Sequence, residues 1–573
     1  MASSEWRVAS GKWQVASRQA LANLQLTNLR LVKPLLLALP LAFLAIFFFY
    51  PLGNIFWLSL RPETAVSILN RPHLFKIIGF TFWQATLSTL FTLIVGLPTA
   101  YLFARWEFRG KTLLRALTTL PFVMPTVVTA AAFRVLLGGG SPINQGLMEL
   151  FGLQEAPIRL EQTLTIILLA HVFYNVAVVS RLVGGFWAHL SPDLASAARV
   201  LGASNSRAFI EITLPLLAPA ILSASLLAFL FSFTSFGVIL ILGGPSFSTI
   251  ETEIYRQYVT FLQPDIAAAL SLLQIGFTFI LMAVYARLQR KTAVSINLNP
   301  QHAGRKRPET ITEKLFVGSM ITLLLILFVT PLLALLWRSL VDRDGQLTLA
   351  YYEALPTLKR GSVAFVSPLT AVRNSIMYAL LTVLVAGFFG LLTATLLAQP
   401  FRGRRWMDPL FMLPLGASAV TLGFGYVVSF RWLRTSPLLV LIAHTLVAFP
   451  FVVRTLLPVM QGIRPSLREA AAVMGAAPAQ VWREVDLPIV GRAMLAAAVF
   501  AFTVSMGEFG ATSFIVRPNS GYLTMPIAIQ RYLGQPGALN YGQAMAMSVL
   551  LMLVCAVGFI AIERFRYADI GEF

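Results

Sequence analysis

Apolar residues in this chain run in long blocks, not in the strict alternation of a half-buried strand or the narrow stripe of a soluble helix. Twelve blocks reach the roughly 20 residues that a helix needs to cross a hydrocarbon core. They lie near 34–60, 82–104, 113–137, 162–187, 216–242 and 266–288, then near 313–340, 371–398, 409–432, 437–460, 489–515 and 542–564. Within lipid each backbone N–H must find its acceptor inside the segment, which makes these blocks helices. The pattern predicts an all-α membrane protein of about 12 transmembrane helices. Composition agrees: the 573 residues are 57% hydrophobic and 12% charged, against about 25% charged in a soluble protein.

The net charge is +20. The basic residues fall between apolar blocks, so they report topology and not a nucleic-acid surface. With the N-terminus in the cytoplasm, about 29 of the 44 Lys and Arg lie inside, the bias the positive-inside rule asks for. Both termini are then cytoplasmic. Residues 1–33 form a polar, basic tail (Arg7, Lys12, Arg18, Arg30, Lys33), and the block after it is too long for a cleaved signal, which makes it a retained anchor. One cysteine, Cys555, sits in an apolar run and allows no disulfide framework or cysteine metal site within the chain.

The two halves repeat. His171 aligns with His444, Arg181 with Arg454, Pro192 with Pro465, Gly202 with Gly475 and Pro215 with Pro488, all at an offset of 273. Phe108-Arg109-Gly110 matches Phe401-Arg402-Gly403 at an offset of 293, so the first half carries about 20 extra residues near 138–160. Each copy holds six spans in the same orientation, a parallel repeat. The organisation expected is a first repeat over 34–290 with a loop near 192–215, a basic linker over 291–312, and a second repeat over 313–573 with a loop near 465–488.

Those two loops carry the most informative sequence. The second reads Glu469-Ala470-Ala471-Ala472-Val473-Met474-Gly475, then Asp486-Leu487-Pro488. The first reads Ser196-Ala197-Ala198-Arg199-Val200-Leu201-Gly202, then Thr213-Leu214-Pro215. Good helix formers, a glycine past the helix end and a proline at the next helix start predict a short helix, a turn and a second short helix on the membrane face. The pattern closely resembles the EAA coupling loop of ABC-importer permeases, with Ser196 in place of the glutamate in the first copy. The resemblance implies a type I ABC-importer permease fold. It also implies that each loop docks into one of two copies of a cytoplasmic ABC ATPase, and that the chain passes a small solute from one extracytoplasmic solute-binding protein across a bacterial inner membrane to the cytoplasm. Ser196, Ala197, Ala198, Gly202 and Pro215, with Glu469, Ala470, Ala471, Gly475 and Pro488, are the coupling residues it points to. Two halves fused in one chain resemble the ferric-iron and thiamine permeases. Phe233-Thr234-Ser235-Phe236-Gly237, Thr249-Ile250-Glu251 with Ile254-Tyr255, and Gly507-Glu508-Phe509-Gly510 resemble the thiamine type.

An ionisable group inside a span is a functional candidate because burying it is costly. Glu508 lies in the eleventh block and Ser235 is its counterpart; both are candidates for the translocation pathway. His171 and His444 read more simply as packing residues bonded to a neighbouring helix backbone than as metal ligands, since no further ligand lies at the right spacing. Pro121 and Pro414 mark expected kinks. Gly110-Lys111-Thr112 imitates the end of a phosphate loop, but Arg105 stands where that loop needs glycine. ATP hydrolysis is therefore expected in partner subunits and no cofactor in this chain. A secondary transporter of two six-helix halves is the alternative, and it would need more intramembrane charge than Glu508 supplies. No nucleophile–base pair supports a membrane enzyme.

Overall fold

The computed structural model describes residues 36–61, 64, 70–292, 306–342, 345–358, 366–399, 401, 403–517 and 520–567. The expected N-terminal tail and most of the basic linker lie outside them. In the first half the helices are α1 (Leu36–Ser59), α2 (Pro72–Arg105), α3 (Lys111–Val123), α4 (Thr126–Leu137), α5 (Pro142–Phe151), α6 (Leu164–His189) and α7 (Asp193–Val200). They continue as α8 (Asn205–Phe233), α9 (Gly237–Leu242), α10 (Ile250–Val259) and α11 (Pro264–Thr292). The second half comprises α12 (Ile311–Leu340), α13 (Pro368–Ala398), α14 (Arg404–Gly416), α15 (Ala419–Ser429) and α16 (Pro437–Gly462). After these come α17 (Pro465–Val473), α18 (Pro478–Gly507), α19 (Gly510–Ile515), α20 (Met525–Leu533) and α21 (Ala538–Tyr567). Among the described residues, eleven helices are long and apolar enough to cross a membrane, or twelve when α14 and α15 count as one span bent by 92°.

Four expected spans are interrupted, two of them at an identifiable chemical feature. The block at 113–137 breaks between α3 and α4 at Met124-Pro125, where proline cannot donate to the helix ladder. The block at 409–432 turns between α14 and α15, and Ser418 caps the new helix by accepting from the Val420 and Thr421 N–H groups. The blocks at 216–242 and 489–515 both stop early, after Phe233 and Gly507, and resume as the short α9 and α19. These breaks at matched places put irregular backbone inside the protein, where it is tolerated only when buried or lining a cavity.

The halves are laced together by an exchange of their first helices. From α1, Phe43 stacks on Phe389 of α13 with ring centroids 4.6 Å apart, and Phe47 meets Phe430 just past α15 at 5.7 Å. A Cβ on Gly425 of α15 would lie 3.1 Å from Ile55 and Pro51 of α1. In return, Phe328 of α12 lies 5.5 Å from Phe173 of α6, and Phe316 lies 5.7 Å from Tyr101 of α2. The residues before α12 are pinned to the first half as well. Lys306 exchanges backbone hydrogen bonds with Arg105 and Glu107, and its ammonium sits 4.9 Å over the Trp106 ring.

Candidate functional site

Two parts of the structure qualify: a pair of loops on one face and a cavity at the seam between the halves. In each loop the first helix ends in the same way. Gly202 and Gly475 adopt φ of +92° and +89°, a region where a side chain costs about 1–2 kcal/mol. The N–H groups of Gly202 and Ala203 bond back to the Arg199 and Ala198 carbonyls, and those of Gly475 and Ala476 to Ala472 and Ala471. This pair of bonds closes a helix end on an αL glycine.

The expected second short helix is corrected by the structure. It does not lie separately on the face but runs on into the span, as α8 and α18, through a π turn at Phe209–Thr213 and at Trp482–Asp486. The cause is in the sequence. Pro215 and Pro488 lack an N–H, and the wider turn lets the N–H of Leu214 reach the Phe209 carbonyl and that of Leu487 reach the Trp482 carbonyl. Such insertions recur at functional sites.

At the tip of each loop stand two apolar side chains. Val200 and Leu201 are 87% and 88% exposed; Val473 and Met474 are 88% and 81% exposed. The motif-based reading passed over them because it weighed the glutamate, alanines and glycine. The available signal was two apolar residues immediately before a turn glycine, in both copies. Glu469, Ala470, Ala197 and Pro488 are exposed, whereas Ser196 and Ala198 are half-buried and Ala471 is buried. The loops differ in bracing. Arg468 donates to Asp486 at 2.7 Å, tying α17 to the π turn of α18. In the first loop Arg199 donates instead to Ser196 at 2.9 Å, and Arg207 pairs with Glu211.

The cavity, of about 450 Å³, is walled by the breaks of both halves. The α3–α4 break supplies Phe122, Pro125 and Thr126, and the α14–α15 turn supplies Ala417 to Val420. The α8–α9 break supplies Thr234 to Val238, and the α18–α19 break supplies Gly507 to Gly510. Ser235 and Glu508, the sequence-derived pathway residues, both line it. Phe236 and Phe509, the next residues along, stack across the seam at 5.3 Å. Close approach there depends on glycine: a Cβ on Gly237 would lie 2.3 Å from the Thr126 hydroxyl, and one on Gly510 would lie 2.9 Å from Ala419 Cβ.

The polar groups of this wall are largely engaged. Glu508 accepts from the N–H groups of Ala511 and Thr512 at 2.7 and 3.0 Å and from the Thr512 hydroxyl. Its oxygens thereby satisfy amides at the start of α19 that have no partner within the helix. His171 joins Ser88 of α2 to Ser235 at 2.8 and 2.9 Å. His444 joins Ser505 to Thr512 at 2.7 and 2.9 Å. Both histidines are buried cross-links between helices, and their partners are hydroxyl side chains instead of the expected backbone. Among the described residues no three His, Cys, Asp or Glu side chains gather as a metal site. Lys111 of the phosphate-loop look-alike turns back onto the Trp106 carbonyl at 2.6 Å and Glu107 at 3.0 Å.

A second buried carboxylate crosses the seam. Glu251 of α10 accepts from Ser418 of the α14–α15 turn at 2.7 Å and from Gln274 of α11 at 2.9 Å. Burial pushes its carboxyl up to about 8. Sequence reasoning gave it only as part of a motif, because nothing local places it against the other half.

Comparison with known proteins fits this architecture. The profile of binding-protein-dependent transport system inner membrane components matches twice, over residues 93–294 and 386–566. The thiamine transport system permease protein ThiP of Escherichia coli is 26% identical over 524 residues, covering 89% of this chain and 92% of its own. The Salmonella typhimurium ThiP is 25% identical over 529 residues, with the same coverage. The ferric transport system permease protein FbpB of Actinobacillus pleuropneumoniae is 24% identical over 571 residues, covering 95% of this chain and 80% of its own.

Proposed function

The chain belongs to the binding-protein-dependent transport system inner membrane components, and from that footing we propose how it works as the permease of an ATP-driven importer. The face bearing α7 and α17 is cytoplasmic, as the positive-inside bias requires. Each loop docks on one of two ATPase subunits. The exposed Val200-Leu201 and Val473-Met474 tips enter the partner, and the Ala-rich helix faces let its backbone approach. The π turns make the helix that follows each glycine turn continuous with a span that ends at the cavity, so force applied at the tip is passed across the turn to the wall carrying Ser235 or Glu508. An extracytoplasmic binding protein presents the solute at the opposite face of the inner membrane.

Thiamine is the substrate this cavity suits best. Phe122, Tyr174, Phe231, Phe236, Phe500 and Phe509 line it beside one carboxylate, and aromatic faces attract organic cations. A volume of about 450 Å³ falls within the range of small-molecule sites. Ferric iron is the second reading, carried by the similarity to the ferric permeases.

The observation that carries this proposal is the matched pair of loops, with the same turn, the same π insertion and the same exposed apolar tip at an offset of 273. The test is uptake in proteoliposomes holding the chain, the ATPase and a binding protein. ATP-dependent accumulation of labelled thiamine is expected, with loss of both uptake and ATPase association in Glu469→Lys and Gly475→Trp. Gradient-driven uptake by the chain alone would refute the proposal. Accumulation of ferric iron in place of thiamine would refute the substrate.

A further inference from the structure

Opposite the docking loops, two matched pairs of segments carry unlike charge in the two halves. The second half's segments 430–437 and 516–537 contain Arg431, Arg434, Arg517 and Arg531 and no Asp or Glu. The first half's segments 138–163 and 243–264 contain five carboxylates against Arg159 and Arg256, and of the five Glu149, Glu155 and Glu161 are exposed. The repeat provides similar backbone on both sides, so the charge difference is not something the fold itself demands.

The arginines converge on one place. Arg434 donates to the hydroxyl of Tyr258 in the first half at 2.7 Å, with its guanidinium 5.7 Å from the ring. Tyr258 also packs on Phe424 and Phe514 of the second half, at 5.3 and 6.0 Å. Arg531 donates to the Val516 carbonyl at 2.8 Å and to the Arg517 carbonyl at 3.4 Å, which draws it against the loop that displays Arg517. The Tyr258 hydroxyl feels the charges of Arg434, Arg517 and Arg431 together. Arg431 and Arg517 are exposed. Like charges acting on one site repel one another, and a carboxylate-bearing partner reverses the sign of that energy.

We infer that this cluster is a docking patch for an acidic surface on the solute-binding protein, which sits over the seam with its acidic side on the second half. The inference rests on the orientation proposed above. Two other occupants fit less well. A lipid phosphate would meet the perimeter, but Arg434 lies at the seam between halves. An anionic solute would next enter a cavity whose lining includes Glu508 and no Lys or Arg. Complementary rim charge of this kind mainly speeds and orients encounter, and it weakens with salt.

The experiment uses the full chain with its ATPase in lipid nanodiscs, and as probe the binding protein that stimulates wild-type ATP hydrolysis. If no binding protein stimulates the wild type, the functional reading fails, and with it this inference. Given stimulation, Arg431→Gln with Arg517→Gln is expected to weaken binding about tenfold at about 0.05 M salt and to flatten its salt dependence, with basal ATP hydrolysis unchanged. Both side chains are exposed, so the fold is expected to survive, and an unchanged thermal midpoint checks this. Glu155→Gln with Glu161→Gln in the first half is expected to leave affinity within about twofold. Unchanged affinity and salt slope in the arginine variant, or equal weakening in both variants, would overturn the inference.

Discussion

Glu508 and Glu251 are buried acidic side chains, the first lining the cavity and the second bonded to Ser418 of its wall, and their hydrogen bonds give them different roles. Glu508 satisfies the first amides of α19. Glu508→Ala strands those donors, a loss of about 1–3 kcal/mol that a lower thermal midpoint would reveal. Glu508→Gln keeps one acceptor oxygen but turns an NH2 toward the other N–H, so it is expected to recover only part of that stability while losing uptake of a cationic solute. Equal stability in the Ala and Gln variants would contradict the capping role. Glu251 links α10 of one half to Ser418 of the other. Its carboxyl rises from an ordinary 4.5 to about 8, so the folded state favours the proton. That contribution is complete below about pH 4.5 and disappears as pH rises through 8. The thermal midpoint is therefore expected to fall as pH rises from about 4.5 to about 8 and to level off above that, and Glu251→Gln to flatten the curve. An unaltered slope in Glu251→Gln would assign the pH dependence to another group. Sequence offered Glu508 as a buried acid, but its partners, like the second-half contact of Glu251, are set by packing that no local pattern encodes.

At the scale of elements, the matched π turns are the most instructive feature. A Leu-Pro pair in each loop reads locally as a helix start, and the structure instead keeps the helix continuous by widening one turn. The residues were legible while their consequence was not, because a start and a π insertion both relieve the same missing N–H. The two loops are braced unequally, by Arg468–Asp486 in one and Arg199–Ser196 in the other. Glu469→Ala is expected to reduce uptake more than Ser196→Ala, and matched losses would contradict that asymmetry. Gly475→Ala meets no neighbouring atom but must hold φ near +89°. It is expected to cost about 1–2 kcal/mol locally and to lower coupling, measured as uptake per ATP hydrolysed, with little change in the global thermal midpoint.

Over the whole molecule, length and hydropathy made the spans legible, and the constant offset of 273 made the duplication legible. The interruptions within spans and the exchange of α1 and α12 were not. Both halves present uniformly apolar helix surfaces, so periodicity does not say which helix packs on which; contacts such as Phe43 with Phe389 and Phe328 with Phe173 decide it. The exchange means that neither half can move without carrying a helix anchored on the other, which suits a permease whose halves must rock together around one cavity. On the coupling role proposed for the two loops, that motion starts at their tips. The most direct measurement is copurification of the ATPase with Leu201→Glu, with Met474→Glu and with the double variant, alongside ATP-dependent uptake. The account predicts reduced ATPase recovery and uptake in each single variant and loss of both in the double variant, with the chain still in the membrane. Full ATPase recovery and undiminished uptake in the double variant would contradict it.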